Sequence, residues 1–141
     1  MIPVTGALTS LTKMESRALP LDDEHARKIK LLDLARLRQK IAEKKAWAEE
    51  RIAQAETEYA RFLYLLAKYP VEIVIPWSED LDEFWHQHIL DTIQYARDCQ
   101  AVFGRFIHHD PYIESDPAKY KSAWTKTQEL YAEEFWSPIA H

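Results

Sequence analysis

The run AWAEERIAQAETEYARFLYLLAKYP, residues 46–70, decides the fold. Within it Ala48, Ile52, Ala55, Tyr59, Phe62 and Leu66 follow one another in alternating steps of four and three. That spacing lays one apolar stripe along an α-helix. Tyr69-Pro70 closes the helix, because the residue before a proline is pushed out of the helical region. Leu34, Leu37 and Ile41 carry the stripe backwards, but Lys44 and Lys45 stand where its next member belongs. One unbroken helix of about 45 residues would reach ~65 Å, far beyond a domain of this size. The spacing therefore predicts a helical hairpin bent near residues 43–46. The continuous alternative would turn the stripe into a homodimer seam.

Outward from this run the punctuation is clear. Residues 1–20 hold Pro3, Gly6 and Pro20 among several Ser and Thr, and read as a flexible N-terminal tail. Residues 21–141 read as a single helical domain. Asp22-Asp23-Glu24 offers an N-cap and an acidic first turn, favourable at the positive end of a helix dipole. Residues 71–75 are apolar and β-branched with no second strand to pair with, so they form a short extended linker. Ser78 caps a helix expected to run over residues 79–103, where Gly104 provides the left-handed stop. Its inner stripe is Leu81, Trp85, His88, Thr92, Tyr95, Cys99 and Val102. Asp116 and Pro117 open a last helix, with Tyr120, Trp124, Thr127, Tyr131 and Phe135 inward and Pro138 beyond its end. The expected fold is all-α: a compact bundle of about four helices with a short extended linker and the 79–103 helix central.

Composition narrows the function classes. The chain has 141 residues, enough for one core. Two glycines argue against a phosphate-cradling Gly-rich loop, and a net charge of −5 argues against a nucleic-acid surface. No window approaches the ~20 apolar residues of a membrane span. One cysteine excludes an internal disulfide and suits a reducing, cytoplasmic setting.

Chemistry concentrates between Asp82 and His109, which hold four of the six histidines. On a helix, residues two apart diverge by ~200°, so His86 and His88 cannot share one ion. Asp82 lies one turn before His86, and Asp91 and Thr92 lie one turn after His88. Beyond Gly104, about five extended residues span ~16 Å, which brings His108 and His109 back beside residues 91–95. A metal set of His88, Asp91 and one or both of His108 and His109 then suits zinc or iron. The bland reading is a satisfied polar network in which Asp82, Trp85, His86, Thr92, Tyr95 and Cys99 lock helix to loop or present a ligand face. Cys99, on the apolar stripe, reads as a small filler rather than a nucleophile.

Taken together, Tyr59, Phe62-Leu63, Tyr69-Pro70, Asp82-x-x-Trp85-His86-x-His88-x-Leu90-x-Thr92-x-x-Tyr95, Asp98-Cys99, Phe103-Gly104, His108-His109-x-Pro111-Tyr112, Tyr131 and Phe135 resemble a known pattern. It is similar to the small domain of plant glycine-rich domain-containing proteins and of stand-alone bacterial proteins. The resemblance spans residues 41–135. Trp136 departs from it, standing where a glycine is expected, and the glycine-rich tail of the plant proteins is absent. The resemblance implies that the histidine segment works as a unit and implies no activity.

The expectation is a small cytoplasmic binding or regulatory module whose His/Asp-rich face takes a protein partner or small ligand. The rivals are a zinc- or iron-dependent enzyme at the same cluster, with Asp82 or His86 in acid–base work, and a structural, dimer-forming helical protein.

Overall fold

A computed structural model describes residues 17–139. Six α-helices and one 3-10 turn stand among them, with no β-strand. The all-α expectation holds, but the count of about four helices is corrected to six, because two expected helices are each broken.

Helix α1 (Glu24–Lys30) starts on Asp23, whose Oδ1 accepts from the Ala26 N–H at 3.0 Å. It stops at Leu31, and α2 (Ala35–Lys45) begins only after Asp33 has turned its carboxylate onto the Ala35 N–H at 3.1 Å. A short acidic side chain that bonds its own backbone competes with helix continuation. Helix α2 ends on Ala46, which takes the left-handed conformation at φ 55°, and α3 (Glu49–Lys68) runs back along it. This is the helical hairpin, tied across by Arg38 and Glu56 at 2.9 Å. The Ile52, Ala55, Tyr59 and Phe62 stripe is buried within the one chain.

Helix α4 (Glu79–Leu90) is capped by Ser78, whose Oγ accepts from the Leu81 N–H at 3.1 Å. The expected 79–103 helix breaks at Asp91, where ψ reaches 73°, and α5 (Thr92–Phe103) continues to Gly104 at φ 71°. The Asp91 N–H closes a tight turn on the His88 carbonyl at 3.1 Å, while its carboxylate is held by Arg36 at 2.7 Å. Because of this break α3, not a 79–103 helix, is the central element, and α1, α2 and α4 all pack on it. Thr92, expected on the inner stripe, opens α5 on the exposed side, whereas Tyr95, Cys99 and Val102 are buried as expected.

A 3-10 turn (Ile113–Ser115) precedes α6 (Pro117–Phe135), which is capped by Asp116 on the Lys119 N–H. Thr127, Tyr131 and Phe135 face the core, and Tyr131 meets Trp77 edge to face at 5.1 Å between centroids. The linker over residues 73–77 is irregular, and Thr127 Oγ1 accepts its Ile75 N–H at 3.1 Å. The expected flexible tail lies outside the described residues over 1–16. Arg17, by contrast, is fixed: its N–H donates to the Phe135 carbonyl at 3.0 Å and its Nε to that of Glu134 at 2.6 Å.

Candidate functional site

Three polar groups meet at the centre of the bundle. Tyr59 on α3 lies 2.6 Å from His88 Nδ1, and Asp98 Oδ2 on α5 lies 2.7 Å from His88 Nε2. A carboxylate only accepts, so Nε2 carries the proton and Nδ1 accepts from the Tyr59 hydroxyl. Burial lowers the His88 pKa and raises that of Tyr59 well above the ordinary phenol value, which keeps both neutral in this arrangement. Gln94 completes Asp98 by donating to Oδ1 at 2.8 Å. Every ring nitrogen of His88 is therefore used, and a small hollow of about 160 Å³ bounded by Arg36 and Asp91 lies beside it.

A second network anchors the loop after Gly104. Tyr95 accepts from Trp85 Nε1 at 3.0 Å and donates to the Ile107 carbonyl at 2.7 Å. Cys99 lies buried beside it, and burial pushes its thiol pKa up, so it stays protonated and unreactive.

The loop then overshoots its expected place. His109 reaches α4 rather than the Asp91–Tyr95 region: its Nε2 lies 3.1 Å from Asp82 Oδ1, and its ring sits 4.5 Å from Trp85 between centroids. His108 is exposed and packs on Phe106, and His86 is exposed on the opposite side of α4 from His88. The expected metal set is thus dispersed. His88 is engaged by Tyr59 and Asp98, Asp91 by Arg36, His109 by Asp82, and His108 stands apart. Among the described residues no three His, Cys, Asp or Glu side chains gather as a metal would need.

What the folding of this loop does create is a cleft of about 990 Å³. Its walls are the linker over residues 72–79, the loop over residues 105–111, and the first turns of α6. Trp85, Trp77 and Trp124 supply aromatic surface, and the Asp82–His109 pair stands in its wall. Asp82, Trp85, His108 and His109 are legible as candidates in the sequence, but the Asp82–His109 partnership is not. Nor is Tyr59 legible as the third member of the His88 network, since 29 residues separate the two and no local pattern links them.

The family model that matches covers residues 25–127. The chain belongs to the UCP032817-like family. This corrects the resemblance drawn from the Trp-His-x-His and His-His-x-Pro spacings: nothing in the comparisons points to the glycine-rich domain-containing proteins. The UCP032817-like match takes in the same histidine segment together with α1 and α2, and it is the match that stands. No curated protein and no solved structure matches. The UCP032817-like family is uncharacterised, so no activity passes from it to this chain.

Proposed function

We propose that this UCP032817-like chain is a small binding module that takes a protein partner or small ligand in the cleft between the 72–79 linker and the 105–111 loop. One observation carries this reading: the cleft is open and about 990 Å³, while the buried histidine network has no nitrogen left for a ligand. Ligand sites combine mostly apolar walls with a few placed polar groups, in volumes of roughly 300–1,000 Å³. Here Trp85, Trp124 and Ile73 are the apolar part, and His109, Arg105 and Lys119 the polar part. The lone buried thiol of Cys99 supports action in the reducing cytoplasm. No helix among the described residues is long and apolar enough to cross a membrane.

The test is a thermal-shift screen of small molecules and peptides on the natural chain and on Ile73→Glu. Ile73 is 47% exposed and lines the cleft, so a carboxylate there leaves the core intact and repels an apolar ligand. Compounds that raise the melting temperature of the natural chain should lose their effect on the variant. A screen without binders, or binders indifferent to Ile73→Glu, overturns the reading.

A second reading, acid–base catalysis, draws on the Asp82-oriented imidazole of His109. With Nε2–H held by the carboxylate, Nδ1 is the nitrogen that can accept a proton from a bound molecule. A cleft ligand that His109→Gln binds unchanged, and that the natural chain alone converts, separates this reading from simple binding.

A further inference from the structure

We propose that the occupant of the cleft is an extended, cationic peptide segment of a partner protein, docked by backbone hydrogen bonds between the two loop walls. The inference rests on the cleft being the binding site and specifies what fills it.

Both long walls are stretches of main chain rather than helix. Residues 73–77 and 106–110 run without a turn or bend, and they flank the same cleft. Among the described residues neither stretch makes a single backbone–backbone hydrogen bond, to the other or to anything else. Each is held instead by side chains: Thr127 accepts the Ile75 N–H, and Tyr95 donates to the Ile107 carbonyl. These two fixed points hold each wall, Cys99 also engages the Ile107 backbone, and the neighbouring peptide groups make no backbone–backbone bond among the described residues.

Peptide groups so placed are a template for an added strand, which supplies donors and acceptors at a regular spacing on both of its edges. A compact small molecule satisfies only one or two of them. Each wall also turns a large apolar side chain outward, Ile73 at 47% and Phe106 at 44% exposure, where alternate residues of a strand would rest. Charge settles the sign of the partner. Five carboxylates line the cleft against two permanent cations, Arg105 and Lys119. A segment alternating apolar residues with Lys or Arg is complementary to both features.

The experiment is selection of a random displayed decapeptide library on the full chain, followed by synthesis of an enriched peptide and of a copy N-methylated at alternate backbone nitrogens. The enriched peptides should alternate apolar and basic residues and shift the NMR amide signals of Ile73, Val74, Phe106 and His108. N-methylation should weaken binding by about tenfold or more, since it removes several backbone hydrogen bonds at once. The double variant Glu72→Lys, Glu114→Lys, altered only at the cleft rim, should weaken it similarly. Equal binding of the N-methylated copy, peptides that bind as helices, or shifts elsewhere on the chain overturn the proposal. If no peptide is enriched while small molecules still depend on Ile73, the peptide proposal falls and the cleft-binding reading stands. If neither binds, both fall.

Discussion

His88 Nε2 and Asp98 Oδ2 lie 2.7 Å apart although ten residues separate them. On one straight helix that separation would place the two about 15 Å apart along the axis. The break at Asp91 folds α5 back against α4 and closes the gap, so the chain interruption and the buried network are one feature.

Removing that carboxylate should be costly. In Asp98→Ala the buried His88 N–H loses its acceptor, and Gln94 loses its partner as well. Leaving a buried polar group unpaired costs about 1–3 kcal/mol, which for a chain of this length lowers the melting temperature by roughly 3–10 °C. Tyr59→Phe, which removes only the hydroxyl on Nδ1, should cost less, about 1 kcal/mol. Calorimetry on both variants checks the order, and an Asp98→Ala chain as stable as the natural one would show that the network does not hold the fold.

The same histidine sets an acid limb of stability. Its folded pKa lies below the ordinary value of 6.5, chiefly through burial, with Asp98 opposing. As pH falls through 6.5 the unfolded chain gains a proton that the folded chain refuses, so stability is complete above that point and declines toward the folded value. Urea midpoints should drop as pH falls below about 6.5, by at most about 1.4 kcal/mol per pH unit for one proton. His88→Gln should be less stable throughout yet flatter over that window. Parallel pH profiles for the two chains would remove His88 as the cause.

The hairpin bend offers a gain rather than a loss. Ala46 sits at φ 55° and ψ 33°, a left-handed conformation that costs a residue with a Cβ about 1–2 kcal/mol. Ala46→Gly relieves it while making the unfolded chain freer, for a net gain of about 0.5–1 kcal/mol. A chemical-denaturation midpoint that moves down instead would mean that Ala46 does not adopt this turn.

Glu134 ties the end of α6 to the end of α3. It is buried, with Lys68 Nζ at 2.8 Å and the Tyr69 hydroxyl donating to the same oxygen. That bond, after burial, is the second cause of the raised Tyr69 pKa. Glu134→Ala should cost about 2 kcal/mol through the unpaired donors. Lys68→Met, which removes a half-exposed partner and leaves Tyr69 in place, should cost less than half of that. Equal losses in the two variants would contradict this ranking.

Local signals made the helices legible where they were strong. Asp23, Ser78 and Asp116 each cap the helix their position announced, and Gly104 and Tyr69-Pro70 each end one. The two missed breaks fall at aspartates, Asp33 and Asp91, inside patterns that otherwise read as continuous. Asp91 with Gln94 three residues on has the form of a helix start, a signal present in the chain but outvoted by the apolar period running through it.

The sequence by itself determined the all-α class, the long stripe of α3, the hairpin bend and the inward side of α6. These follow from apolar period and end signals, which act over one or two helical turns. It also marked Asp82 to His109 as the chemically dense segment. Only the tertiary structure decided how that density is divided. Tyr59 and Asp98 take both nitrogens of His88 into the core, and Asp82 takes His109 to the wall of the cleft. Those pairings join residues 10 to 29 positions apart across separate elements. They depend on where α3, α4, α5 and the 105–111 loop come to rest, and no period along a chain encodes a contact between its separate elements.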